Sequence, residues 1–546
     1  MKKDIRELVE EAMQGIGLQN VPVELEVPRD EKMGDLATPV AMNLSKTLKK
    51  PPRQIAEEIL KSLGEPDIFE KIDIAGPGFI NFTFSPRYLF SEMKDLLSQG
   101  EAFLRREIGK GRKIQIEFVS ANPTGPLHLG HGRGAAVGAA LSNLLKAAGY
   151  EVEREYYIND AGKQVKLLGL SVFAKYQQLL GIEYPFPEDG YRGSYVEQIA
   201  KRIVHQYGNK YSEMSFQEVA EFFTDFSYRE MLGDIGKDLK DFGIVFDAWQ
   251  SERELYSEGD VDKAIDALRH RRYLYLQDGA LWFKATKFRD DKDRVITKGD
   301  GEFTYFASDV AYHRKKIEEG FEEIIDIWGA DHHGYIPRLK AVIEALGYPP
   351  EHLRVMLVQM VTLLRAGKPV QMSKRAGEFI TLREVMEEVG ADTTKFIFLT
   401  RRPDSHLEFD LETAKEQSAE NPVFYVQYAN ARINSIFSHA QEKGLQLEHP
   451  DTVALNLLSG PEELRIIKKL LLYPMVFEGA VLAREPHRIT FYLQELSGLF
   501  HPYYSRYRVV TDDAELSRAR LALCKAIRLV LKEGLDILGL SSPERM

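Results

Sequence analysis

Apolar residues at Ile5, Leu8, Val9, Ala12 and Met13 recur with helical spacing and predict an opening helix. A second helix is predicted from near Thr38, with Pro51-Pro52 stopping it. Ile72–Ile74 and the alternating run Phe79–Phe84 predict strands on either side of the Gly76-Pro77-Gly78 turn. These elements make residues 1–110 a small α/β unit. Ile114–Val119 then reads as a strand, Asn122–Gly125 as a turn, His128–Ala148 as a helix and Glu151–Ile158 as a second strand. Strand, turn, helix and strand form a βαβ unit, which implies a parallel sheet. Gly130, Gly134, Ala135, Gly138 and Ala139 are small enough for that helix to lie close to the sheet. Further strands are predicted at Phe303–Ala307, Ile324–Trp328 and Val355–Val358, with a largely helical insertion over residues 162–247.

From about Asn421 the pattern becomes purely helical, at Phe424–His439, Glu462–Glu485, Ile489–Tyr504 and Ala514–Leu538. That predicts an all-α bundle over 421–546 behind a parallel-sheet region over 111–420. Arg105–Lys113 between the first two units reads as a linker; a solvated connection is favoured over a basic binding patch.

Length agrees with several domains, since 546 residues exceed a single core at roughly 100–200 residues per domain. With 44% hydrophobic and 28% charged residues, the chain is neither disordered nor collagen-like. One cysteine, Cys524, excludes an intramolecular disulfide and multi-cysteine metal sites. Glu7, Glu10 and Glu11 interrupt any secretory apolar core, and no long apolar run suggests a membrane span, so a cytoplasmic protein is expected. The net charge of −11 argues against an indiscriminate polyanion binder. It is uneven: residues 421–546 hold 15 basic and 14 acidic side chains, leaving −12 on residues 1–420.

Candidate chemistry concentrates in two segments. In Asn122-Pro-Thr-Gly-Pro-Leu-His128-Leu-Gly-His131, two histidines three residues apart open a helix and project from one face. Free N–H groups and the helix dipole favour a phosphate there, and Gly125 and Gly130 permit close backbone approach. A His-x-x-His pair alone also suits packed surface histidines or a metal site; the strand–turn–helix setting favours phosphate. Some 240 residues later, Gln371-Met372-Ser373-Lys374-Arg375 lies between Gly367 and Gly377. The Lys374 ammonium could neutralise charge on a leaving polyphosphate.

His128-Leu-Gly-His131 resembles the HIGH signature, and Met372-Ser373-Lys374 the KMSKS signature, of class I aminoacyl-tRNA synthetases. Glu117-Phe-Val-Ser-Ala-Asn122 and Tyr305-Phe-Ala-Ser-Asp309 narrow the resemblance to arginyl-tRNA synthetases, across essentially the whole chain. Gln371 and Arg375 depart from the KMSKS pattern, so no lysine role is expected at 371.

The resemblance implies a class I Rossmann-like parallel-sheet catalytic domain with helical insertions, a small α/β N-terminal domain that contacts tRNA and an anticodon-binding C-terminal bundle. It implies that L-arginine is activated with ATP and transferred to the terminal adenosine of tRNA(Arg), with Mg²⁺ accompanying ATP, no structural metal and a monomeric chain. His128, His131 and Lys374 would act on the phosphates, joined for ATP binding by Gly130, Gly329, Asp331, His332, Met372 and Ser373. Glu117 and Asn122 would hold the backbone end of arginine. A guanidinium is a permanently charged planar fork and needs fixed carboxylates. Asp309 is the first candidate, with Tyr305 as a neighbouring wall, both expected on a strand. Asn159, Asp160 and Gly162 face the same crevice. Tyr425, Tyr428, Tyr503, Tyr504 and Tyr507, with Arg506 and Arg508, are the bundle's candidates for stacking on bases.

Overall fold

The computed structural model describes residues 2–28, 30–370, 380–418, 420–446 and 449–546, with side chains from residue 5 onward except that of Glu31. Its centre is a five-stranded parallel sheet: β1 (Lys113–Glu117), β2 (Glu151–Ile158), β3 (Ala248–Ser251), β4 (Glu323–Gly329) and β5 (Leu353–Val358). The spatial order is β5-β4-β1-β2-β3, so the chain winds outward from β1 in both directions. In such sheets ligands collect beyond the carboxyl ends of the strands, where the order reverses, here between β1 and β4.

The helix after β1, α1 (Leu129–Ala147), is buried around most of its circumference. Small residues make that possible: a Cβ on Gly138 would stand 2.3 Å from the Phe118 ring, so no other residue fits without moving the ring. Arg133, the one long charged side chain buried in α1, is fully enclosed. It donates to the carbonyls of Gln359, Ser405 and Arg402 at 2.9, 2.8 and 2.8 Å, tying α1 to the segments beyond β5. Burial lowers its pKa to about 10.

The insertion carries helices α2 (Lys163–Leu179), α3 (Ser194–Tyr207) and α4 (Phe216–Asp241) around their own aromatic core, including Phe173, Tyr176 and Phe223. A feature absent from the expected elements follows β3: a three-stranded antiparallel sheet of Leu274–Gln277, Ala280–Phe283 and Arg294–Thr297. Helix α5 (Tyr305–Glu318) comes next.

This helix corrects the expectation of a strand at Phe303–Ala307. Only Phe303 keeps a bridge, to Thr297. From Tyr305 the buried side chains Phe306, Ala307, Val310 and Ala311 follow helical spacing against the neighbouring core. A short aromatic run is ambiguous between the two states, and the longer period decides.

At the N-terminus, the Lys2–Gly15 helix and the helices Val40–Leu48 and Pro52–Leu63 accompany a three-stranded antiparallel sheet. The C-terminal bundle contains Pro422–Glu442, Pro461–Leu471, Tyr473–Ala483, His487–Arg506 and Ala514–Ile537. The expected helix Glu462–Glu485 is two helices, because Pro474 lacks the N–H that would continue the first. The linker is largely solvated, with Glu107, Lys110, Arg112 and Lys113 exposed, but it is anchored at two points. Arg105 grips the buried Glu533 of the bundle through two bonds of 2.8 Å, and Arg112 donates to Tyr150 at 2.8 Å. No described helix is long and apolar enough to cross a membrane.

Candidate active site

Glu117 ends β1, and the backbone then turns sharply: Val119 and Ser120 have φ of +70° and +38°. A β-branched residue rarely adopts such a conformation, and strain of this kind persists only where the surroundings fix it. Here the Ser120 hydroxyl accepts from the Tyr157 amide at 3.1 Å and donates to Glu117 Oε1 at 2.9 Å. The Tyr156 hydroxyl binds the Ala121 carbonyl at 2.9 Å. The turn thus aims one end of Glu117 and delivers the chain to α1.

His128 caps α1. Its Nδ1 accepts from the amides of Gly130 and His131 at 3.1 and 3.4 Å, while His131 Nδ1 accepts from the His128 amide at 3.3 Å. The rings stack with centroids 3.7 Å apart. The two imidazoles therefore sit as one unit at the positive end of the helix. His128 also bridges to Thr381, and the Leu382 amide donates to the Leu127 carbonyl at 2.8 Å, so Thr381 and Leu382 lie beside the pair. Met372, Ser373 and Lys374, like Gln371 and Arg375, lie outside the described residues.

Asp309 lies in the second turn of α5, half-buried, and accepts a hydrogen bond from the Tyr335 hydroxyl. The Arg338 guanidinium lies 4.2 Å from the centre of the Tyr335 ring. Burial raises the Asp309 pKa despite the bond from Tyr335. Glu252, just beyond β3, is 2% exposed; one oxygen accepts from Ser308 Oγ at 2.9 Å and the other makes no hydrogen bond. Burial raises its pKa as well. Tyr157 lies in the field of Glu252, Asp309 and Glu117 together, and burial and that field raise its pKa. Of the three, Glu252 and Asp309 act on the phenol most and Glu117 least.

Behind Glu117 lies a second charged group. Lys316, 1% exposed on α5, bonds Glu117 Oε2 at 2.7 Å and Asp326 Oδ1 at 3.1 Å, and approaches Glu155 at 3.7 Å. His313 Nε2 meets Asp326 Oδ2 at 3.0 Å, and the Tyr312 hydroxyl donates to Glu155. Burial pushes Asp326 up, but Lys316 and His313 outweigh it and hold the carboxyl down to about 2. Burial carries Glu155 the other way, up to about 7, in spite of Lys316.

Other expected positions are more open. Tyr305 is 60% exposed, with its hydroxyl above Gly162. Asn122 donates to Gln164 at 2.8 Å. Gly329 ends β4, and Asp331 and His332 follow on an exposed 3-10 turn. Asp160 is spent on structure: it accepts from Ser251 Oγ at 2.7 Å and the Arg253 amide at 3.1 Å.

Residues 92–438 match the family described as tRNA synthetases class I (R), catalytic domain. An arginine–tRNA ligase of Citrifermentans bemidjiense is 50% identical, over 96% of this chain and 95% of its own. The chain belongs to the arginyl-tRNA synthetase family. Residues 1–84 match the arginyl-tRNA synthetase N-terminal domain and residues 426–546 the DALR anticodon binding domain. The arginine–tRNA ligase of Geobacillus kaustophilus is 48% identical over 100% of this chain and 98% of its own. The structure of Thermus thermophilus arginyl-tRNA synthetase shares the fold, with a TM-score of 0.78 at 22% identity, covering 100% of each chain.

Sequence reasoning missed Glu252, Glu155, Tyr312, His313, Lys316, Asp326 and Tyr335. One signal was present. Tyr305, Asp309, Tyr312 and Lys316 are spaced by three or four residues, a polar stripe on a helix that the strand reading concealed.

Proposed function

We propose that the crevice beyond β1 and β4 is where this member of the arginyl-tRNA synthetase family activates arginine with ATP and charges tRNA(Arg). The observation that carries this is a set of fixed carboxylates, Glu117 held by Ser120 and Lys316, Asp309 by Tyr335 and Glu252 by Ser308, on a protein whose adjoining helix opens with a histidine pair. A cation is the ligand that fixed carboxylates stabilise, and a planar guanidinium can bond two of them at once.

In this reading Asp309, with Glu252 behind it, takes the guanidinium, and Tyr305 walls the side chain. Glu117 takes the α-ammonium group, with Asn122 close to the backbone end. The arginine carboxylate is already ionised, so its attack on the α-phosphorus of ATP requires no general base. An O–P bond forms as the bond to pyrophosphate breaks, giving arginyl adenylate. The hydroxyl of the terminal adenosine of tRNA then attacks the carbonyl carbon, and AMP leaves. His128, His131 and Lys374 stabilise charge on the phosphates, an effect of about 3–4 kcal/mol for one well-placed donor. Gly130, Met372 and Ser373 line the phosphates, and Gly329, Asp331 and His332 the adenosine. Mg²⁺ arrives with the nucleotide, bound chiefly by its phosphates.

Residues 1–110 serve as the tRNA-contacting domain, 111–420 as the catalytic domain and 421–546 as the anticodon-binding bundle, in a monomeric cytoplasmic enzyme. Tyr428 and Tyr504, flanking Arg432 at 4.2 and 5.0 Å, are the strongest stacking candidates in the bundle. Tyr503 is fully buried and belongs to its core.

The test is pyrophosphate exchange with each amino acid in turn, with and without tRNA(Arg). Exchange dependent on arginine alone is expected. Exchange that is absent in both conditions, or supported equally by lysine, would contradict the reading.

A further inference from the structure

We propose that Lys316 is a positioning residue for arginine recognition, holding the Glu117 carboxylate aimed at the substrate's α-ammonium group. The inference rests on the assignment of Glu117 to that group.

Glu117, Glu155 and Asp326 occupy one row across three adjacent parallel strands, Asp326 pairing with Glu117 and Glu117 with Glu155. Strands lie about 4.8 Å apart, so three acidic side chains share one buried face. Like charges so close repel one another, and a cation set among them offsets that repulsion and fixes where each carboxylate points.

Lys316 lies at the centre of the row. Its Nζ bonds Glu117 and Asp326, faces Glu155 at 3.7 Å and stands 3.9 Å from the centre of the Tyr312 ring. At 1% exposure it reaches neither solvent nor substrate. Its action is therefore through Glu117. The two oxygens of Glu117 are held separately, Oε1 by Ser120 at 2.9 Å and Oε2 by Lys316 at 2.7 Å. An ionised carboxylate has about four acceptor positions, so two remain for a third donor. The arrangement fixes the carboxylate without saturating it.

Stability alone does not account for this network, since well-packed apolar side chains in place of a buried ion cluster often stabilise a fold. The row is better explained by what it presents at its open end. Asp326 keeps the lysine charged from below, with His313 behind it, and Glu117 carries the resulting order into the crevice.

The experiment compares arginine with 5-guanidinopentanoic acid, which is arginine without its α-amine. Steady-state aminoacylation gives KM for arginine, ATP and tRNA, and inhibition by the analogue gives its Ki. In Lys316→Met, arginine KM is expected to rise on the order of tenfold to a hundredfold, the loss of one charge-assisted contact, with KM for ATP and tRNA within about twofold of the parent. The ratio of Ki to KM, large in the parent, should fall towards one. Glu117→Gln should lose the same preference. If Glu117→Gln loses it and a folded Lys316→Met keeps it, Lys316 has no positioning role and the Glu117 assignment stands. If both variants keep it, the Glu117 assignment fails and takes this inference with it. Should Lys316→Met not fold, Lys316→Gln retains a neutral donor; a preference unchanged from the parent in that variant would overturn the proposal, and an intermediate one would support it.

Discussion

In the C-terminal bundle the fully buried positions include Leu470, Phe477, Leu493, Phe500, Leu523 and Ile527. Where helix α5 packs on the parallel sheet, buried positions are held by Lys316, Asp326, His313, Glu155 and Glu117. Both sets are buried, and the consequences are opposite. An apolar core gains free energy with every group removed from water, roughly 25 cal/mol per Å². A buried charged row gains little net stability, because desolvation offsets the attraction. The bundle is therefore built to hold a shape, and the sheet face to hold a charge pattern in a fixed direction. Mutations should separate the two properties.

The largest effect is expected from Phe477→Ala in the bundle. It should lower stability by about 3–5 kcal/mol, the usual range for emptying a buried aromatic site. Calorimetry would register the loss, while KM for arginine in the surviving folded fraction stays at the parent value. His131→Ala should do the reverse. Turnover should fall by about 10²–10³, or 3–4 kcal/mol, with a melting temperature close to that of the parent.

Glu155 sharpens the contrast, because it sits on the functional side yet affects stability through pH. Its folded pKa of about 7 lies above the ordinary 4.5. Between those values the native state binds more protons than the unfolded state, so stability falls as pH rises from about 4.5 to 7 and is level above. The size is on the order of 3 kcal/mol. Glu155→Gln should remove that contribution. Urea unfolding at pH 5 and pH 8 would measure it by tryptophan fluorescence, since Trp249, Trp282 and Trp328 all lie in the sheet region. A parent and variant with equal pH dependence would count against the assignment.

The smallest change is expected where the two regions meet. Arg105→Met leaves Glu533, with its side chain 1% exposed, without its bidentate partner. Because Arg105 is itself partly solvated, the loss should be on the order of 2 kcal/mol rather than the full cost of a buried pair. Proteolysis between the linker and the bundle would be the sensitive readout.

The bundle was more legible than the sheet face, and the reason is physical. Helices such as Ala514–Ile537 repeat one apolar face over many turns, and a local pattern of that kind survives in the sequence. The βαβ unit around His128 was legible for the same reason, with a glycine-rich helix between two strands. Pro474 was visible, but the apolar spacing runs across it and hides the break that its missing N–H makes. The charge row could not be read in advance. Glu117 and Lys316 are 199 positions apart, and their meeting depends on strand order and on α5 crossing one face of the sheet. Asp309 was singled out through its motif, in the wrong secondary structure. That error cost more than a label, because the helical stripe Tyr305, Asp309, Tyr312 and Lys316 would have pointed to the row behind the crevice.

The central claim is that carboxylates fixed at the end of the sheet select arginine. Aminoacylation kinetics of Asp309→Asn test it most directly, with the melting temperature measured alongside. Asparagine keeps the size of the side chain and its bond to Tyr335 but removes the charge. Arginine KM should rise by about a hundredfold or more, the order expected when a charge-assisted pair is broken in a partly buried site. KM for ATP and the melting temperature should change little. A folded Asp309→Asn enzyme with the parent's arginine KM would contradict the claim.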